Sequence, residues 1–189
     1  FESQEIMTGW RSQSSEQLHP TRGEKATEGE GYYMYDNKED SEDNVYNGKY
    51  IFEIQYKTPK KAIRVEFLGE HNSFLFWGEK EPEPITHKDN DWDRFYKMAC
   101  LVGGDDLEKC IKEFTKLLLE SGYDAVVIDD KPYWTILLDP HLIISSKRYP
   151  NPSYRPTKKF ENFNNPRKKA LAGMKQSISA ELWDKNLNF

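Results

Sequence analysis

Apolar and polar residues alternate most regularly between positions 50 and 67. Tyr50, Phe52, Ile54 and Tyr56 occupy every second position and share one face of a predicted strand. Thr58-Pro59-Lys60-Lys61 breaks that strand, and Ile63, Val65 and Phe67 resume the alternation. A third apolar run, 73–78, reads as a further strand, and the charged, proline-containing stretch 79–90 reads as an exposed connection. The period then changes. A helix is predicted from a cap at Asp91 or Asp93 to about Val102, ended by Gly103-Gly104. Asp105 or Asp106 caps a second helix. Its Leu107, Cys110, Ile111, Phe114, Leu117, Leu118 and Leu119 recur at the spacing of an amphipathic helix packed on a sheet, and Gly122 closes it. The run 125–128 has the continuous apolar character of a buried strand. Two more strands, 133–138 and 141–145, flank Asp139-Pro140. Nearer the start, 6–11 reads as a short strand ending at Arg11 and 12–30 as loop. Residues 32–35 read as a strand or turn, followed by an acidic loop. Strands on both sides of a helical pair predict an α+β layer rather than an alternating parallel sheet.

Composition narrows this to one domain. Apolar residues make up 37% of the 189 positions, lean but concentrated, and the 14% aromatic share argues against disorder over most of the chain. No apolar run approaches the roughly 20 residues of a membrane helix, so no membrane association is expected. The start, Phe1-Glu2-Ser3, has neither a signal-peptide pattern nor an initiator Met, which suggests a piece of a longer polypeptide. Cys100 and Cys110 fall in predicted helices, where buried reduced thiols are expected, in keeping with a cytoplasmic compartment.

Charge divides the chain. The net charge is −5, with acids crowded between Glu24 and Asp43, yet the sign reverses from Lys147 to Lys175. Beyond Pro150 the apolar pattern fails and Asn-Pro and Arg-Pro pairs punctuate a basic stretch. The expected organisation is therefore a domain over 1–150 and an irregular basic tail over 151–189. Within the tail, Leu171, Met174, Ile178 and Leu182 keep helical spacing and suggest a weak helix over 167–182. Such a tail suits docking on an acidic face, on a neighbouring chain or on a protein target.

Phosphate-loop, paired-cysteine zinc, His-Glu-x-x-His and Gly-x-Ser-x-Gly motifs are absent, and His19, His71, His87 and His141 are scattered. Three other segments fall in a suggestive order. They are Gly9-Trp10-Arg11-Ser12, Gly29-Glu30-Gly31-Tyr32-Tyr33-Met34, and a closing block of Gly122-Tyr123-Asp124-Ala125-Val126-Val127 followed by Asp139-Pro140-His141-Leu142-Ile143. Together they resemble the ADP-ribosyltransferase superfamily, above all the versions in phage and mobile-element proteins. The resemblance implies a split β-sandwich with helices at its side, NAD as substrate, and a host macromolecule as acceptor. It places the protein in the host-cell cytoplasm or with a virion. Arg11, with Ser12 beside it, would hold a phosphate or ribose of NAD through its planar donor fork. Tyr33 would stack on the nicotinamide, flanked by Tyr32 or Tyr35.

A carboxylate should then stabilise the oxocarbenium-like transition state. At the position where many relatives carry that glutamate, this chain has Trp134. Asp129 and Asp130 in the preceding turn are the nearest acids and the candidate catalytic residues; Glu30 is a more distant substitute. Three readings stay open. The chain is an NAD-dependent transferase, or it keeps the fold as a non-catalytic binding or assembly module. The third, nucleic-acid binding, rests on the basic tail with Tyr154, Phe160 and Phe163 interleaved, and the net acidity of the chain runs against it.

Overall fold

The computed structural model describes residues 5–42, 48–66, 72–129 and 134–155. The strands are β1 (Ile6–Gln13), β2 (Tyr32–Tyr35), β3 (Tyr50–Lys57), β4 (Ala62–Val65), β5 (Ala125–Ile128), β6 (Trp134–Leu137) and β7 (Ile143–Pro150). The helices are α1 (Lys38–Glu42), α2 (Asp91–Gly103) and α3 (Leu107–Glu120). The class is α+β, as the alternating and helical periods require. The strands join in the order β4-β5-β6-β2-β1-β3-β7. β4 and β5 run parallel and the other neighbours antiparallel. Because β6 pairs with both β5 and β2, the described strands form one continuous sheet.

Register decides which side chains share a face. Trp10 pairs with Tyr35, Tyr35 with Trp134, and Trp134 with Ile128. Tyr35, Trp134 and Ile128, and the residues two positions along their strands, face α2 and α3. Tyr33, Ile63, Val65, Val126, Ile128, Trp134 and Ile136 meet Trp92, Phe95, Ile111, Phe114 and Leu118 there in the larger core. Met34, Phe52, Ile54, Tyr56, Ala125, Leu137 and Leu142 form a smaller core on the opposite face. That face is concave. The Tyr56 hydroxyl on β3 reaches Thr135 on β6, although three strand steps would separate them by roughly 14 Å in a flat sheet. Gly9 lies inside the curl, where an added Cβ would fall 2.6 Å from the sulfur of Met34.

The α3 pattern holds: Ile111, Phe114 and Leu118 are fully buried against β5 and β6, while Leu119 is exposed. Each such side chain contributes about 1.5–3 kcal/mol through burial. Asp106 caps α3 by accepting from the Lys109 N–H at 3.2 Å, and Gly122 follows it with φ 87°. Both cysteines, on α2 and α3, are buried and not joined in a disulfide. Five expectations need correction. The strand expected over 141–145 begins only at Ile143 and runs on to Pro150, because Pro140–Leu142 form a 3₁₀ turn. Asn90, not Asp91 or Asp93, caps α2, accepting from the Asp93 N–H at 2.9 Å. Residues 74–76 form a 3₁₀ turn instead of a strand. The Ser73 hydroxyl accepts from the Leu75 N–H and tucks Phe74 and Leu75 under the helices, so their apolarity serves burial and not pairing. The acidic stretch contains α1, where Asn37 accepts from the Asp40 N–H at 2.8 Å and Lys38 pairs with Glu42. β1 continues past Arg11 to Gln13, because Ser12 and Gln13 still pair with Ile51 and Tyr50.

The chain is also anchored just past the predicted boundary. Asn151 is buried, donating from its backbone to Lys49 O at 2.9 Å and from Nδ2 to Gly48 O at 2.9 Å. The tail expectation for 156–189 lies outside the described residues.

Candidate functional site

Arg11 lies inside a strand, on the concave face beside Met34. Its guanidinium is buried and each of its three nitrogens donates within the protein. Nη2 reaches Thr21 Oγ1 at 3.0 Å, Nη1 reaches the carbonyl of Tyr33 at 3.2 Å, and Nε is shared between the His19 carbonyl and Gln13 Oε1. Burial pushes its pKa down to about 10, against the opposing influence of Tyr33 and Tyr32, so it remains charged at neutral pH. Ser12 faces the other way and accepts from the Gly48 N–H at 2.6 Å. Gln13 extends the same network, with Nε2 donating to Gln17 O at 2.6 Å.

Tyr33 is two positions from Tyr35 and so faces the helices. Its ring is in the larger core, and its hydroxyl donates to Gly29 O at 2.8 Å while accepting from the Glu28 N–H at 3.0 Å. The two residues that the resemblance puts at one nicotinamide therefore lie on opposite faces of the sheet. What they share is the segment 19–31. Arg11 grips His19 and Thr21 from one side, and Tyr33 grips Glu28 and Gly29 from the other. A Thr21–Gly31 bridge closes the segment. Glu30 fastens it further, accepting from the Gly23 N–H at 3.0 Å and donating from its own backbone to Thr115 Oγ1 at 2.9 Å.

The glycine motif has a structural cause in the same segment. Gly29 has φ 109°, a conformation side chains rarely adopt. A Cβ at Gly31 would fall 2.3 Å from the carbonyl oxygen of Leu137 on β6. The closing block is structural in the same way. The Asp124 carboxylate accepts from the N–H groups of Lys60 and Lys61 at 2.7 and 3.1 Å, fixing the entry to β4. Asp139 accepts from the His141 N–H at 2.9 Å and opens a 3₁₀ turn over Pro140–Leu142.

The other candidates do not converge on Arg11. Tyr32 is half-buried against the smaller core. Asp129 ends β5, three strands from β1, and pairs with Arg64 at 2.7 Å across an exposed edge. Asp130 lies outside the described residues. Trp134, at the expected acid position, is buried in the larger core with its ring edge-on to Tyr35 at 5.9 Å.

Among the described residues, two concave places bear on the candidates. A pocket of about 480 Å³ is lined by Arg11 and Ser12 together with His19, Arg22 and Lys25. A groove of about 830 Å³ lies elsewhere, between the connection 77–85 and the C-terminal half of α2. Trp77, Ile85, Tyr96, Cys100 and Leu101 give it an apolar lining, and Glu79, Glu81, Glu83 and Asp105 an acidic one. The connection is fastened to α2 by Lys97, whose Nζ meets both oxygens of Asp89 at 2.9 Å and Pro84 O at 3.4 Å. The Thr86 N–H and the Lys97 contact together hold the Asp89 carboxyl below its ordinary pKa. The sequence predicts this connection only as exposed. Its signal was Ile85 among charges and the apolar pair Leu101-Val102 on the outside of α2.

No family model matches the chain, and no curated protein matches it. Among solved structures it is similar to one described as the crystal structure of an anti-CRISPR protein, with 13% identity, a TM-score of 0.37, and 76% of this chain and 96% of that chain covered. A likeness of that size carries no argument. Among the described residues, no helix is long and apolar enough to cross a membrane and no cluster of three or more His, Cys, Asp or Glu is placed to hold a metal ion.

Proposed function

We propose that the chain is a non-catalytic binding module, in which an ADP-ribosyltransferase-like arrangement of strands and helices serves as a scaffold for docking a protein segment. The observation that carries this reading is the division of Arg11 and Tyr33 between the two faces of the sheet, each bonded to the segment 19–31. A nicotinamide site needs an accessible ring; here the ring is in the core, and the buried guanidinium is held from each nitrogen by acceptors of the protein itself. Trp134 in place of the acid adds to this, since loss of one preorganised charge-stabilising group typically costs about 10²–10³ in rate. The test is incubation of the full chain with labelled NAD and a cell lysate. No transferred label is expected. Labelling that disappears in Asp129→Ala or Asp130→Ala overturns the reading and identifies the acid.

One observation favours a second reading, that of an NAD-dependent ADP-ribosyltransferase. The 480 Å³ pocket beside Arg11 and Ser12 is cationic through Arg22 and Lys25 and has the character of a diphosphate site. Under that reading NAD binds there and Arg22→Ala with Lys25→Ala abolishes the binding.

A further inference from the structure

We infer that the groove between 77–85 and α2 is the docking site of residues 167–182 of this same chain, which lie along it as an amphipathic helix. This rests on the binding-module reading and names the segment bound.

The groove has the two features a basic amphipathic helix requires. Its lining carries exposed apolar side chains, with Leu101 76% exposed and Ile85 43% exposed, apolar surface of the kind that a docking partner covers. Its rim is acidic, with Glu79, Glu81 and Glu83 on one wall and Asp105 at the end of α2. Two lysines also line the groove: Lys97 is buried and neutralised by Asp89, and Lys80 offsets one of the four acids, so the rim stays acidic. The complementary sequence is in the tail. Leu171, Met174, Ile178 and Leu182 recur at helical spacing, the pattern by which a helix anchors in a groove, and Arg167, Lys168, Lys169 and Lys175 supply the charge.

Reach permits an intramolecular arrangement. The anchored chain leaves the sheet after Asn151, and the described residues end at Arg155. The segment 156–166 spans up to roughly 37 Å at about 3.4 Å per residue. A domain of this size has a radius of gyration of roughly 15 Å, so the far side lies within reach. A tethered helix also docks at an effective concentration near millimolar, which makes modest contacts sufficient. The acidic α1 is a poorer competitor, since its charge is partly met by Lys38 and its one buried residue is Ser41.

The experiment is hydrogen exchange of the full chain, read on peptides covering 167–182, at several protein concentrations and two salt concentrations. Slowed exchange in that segment is expected, unchanged on dilution, lost in Leu101→Glu and in Met174→Asp, and weakened by salt as the charge contacts are screened. Leu119→Glu, on the outside of α3, leaves it intact and controls for general effects of an added charge. Exchange at the unstructured rate in the unmodified chain overturns the inference. So does protection that vanishes on dilution, which assigns the groove to a second copy of the chain. Protection that survives Leu101→Glu places the helix elsewhere and overturns it as well. A failure here leaves the NAD result untouched, so the docking claim and the binding-module reading fall separately.

Discussion

The cationic pocket beside Arg11 and the groove beside Leu101 are built by opposite means. Around Arg11, polar groups are buried and committed to one another: the guanidinium to four acceptors, the Tyr33 hydroxyl to two backbone groups, and the Gly31 backbone to that of Thr21. Around Leu101, one buried ion pair ties the connection to α2 and apolar surface beside it faces solvent. The first region is determined by its own contacts. The second leaves apolar surface open to solvent. Residue patterns that suggest chemistry can thus mark the places where a backbone is most constrained, and a surface with no motif can be the one left open.

Substitution separates the two regions. Arg11→Ala is expected to have the largest effect, roughly 3–5 kcal/mol of lost stability, since several buried acceptors lose their donor at about 1–3 kcal/mol each. Denaturant unfolding measures it; an unchanged midpoint would mean that Arg11 is held for a ligand. Leu118→Ala in the shared core should cost about 2–5 kcal/mol, the range for large-to-small changes at a fully buried site, and calibrates the scale by the same measurement. Tyr33→Phe keeps the ring and removes the hydroxyl that joins Glu28 to Gly29, at a cost of about 1–3 kcal/mol. Its mark is faster proteolysis within 19–31, and a loop as resistant as before would break the account of Tyr33. Leu101→Glu should change stability least, within about 0.5 kcal/mol, because the side chain is exposed. Its effect belongs instead to the exchange of the tail.

Much of the fold was legible where a period repeats. The faces of β3 and α3, the buried run of β5 and the glycine endings of α2 and α3 follow from spacing and local chemistry. Short elements were not. Phe74-Leu75-Phe76 is too brief for period two and period three to differ, and the Ser73 cap decides between them. α1 has five residues and one buried side chain, so no apolar stripe announces it. The site was legible only as a set of residue types. Placing Arg11 and Tyr33 on opposite faces needs the register Trp10–Tyr35, a relation between strands more than twenty positions apart that neither strand encodes alone. Trp134 shows the same limit: one residue marks both a missing acid and a core aromatic, and only its burial separates the two.

The most direct test of the central claim is a calorimetric titration of NAD into the full chain, with Arg22→Ala and Lys25→Ala variants alongside. No saturable heat is expected at millimolar NAD. Saturable binding that is lost in those two variants would contradict the claim, since it would make the pocket beside Arg11 a ligand site rather than the by-product of a constrained loop.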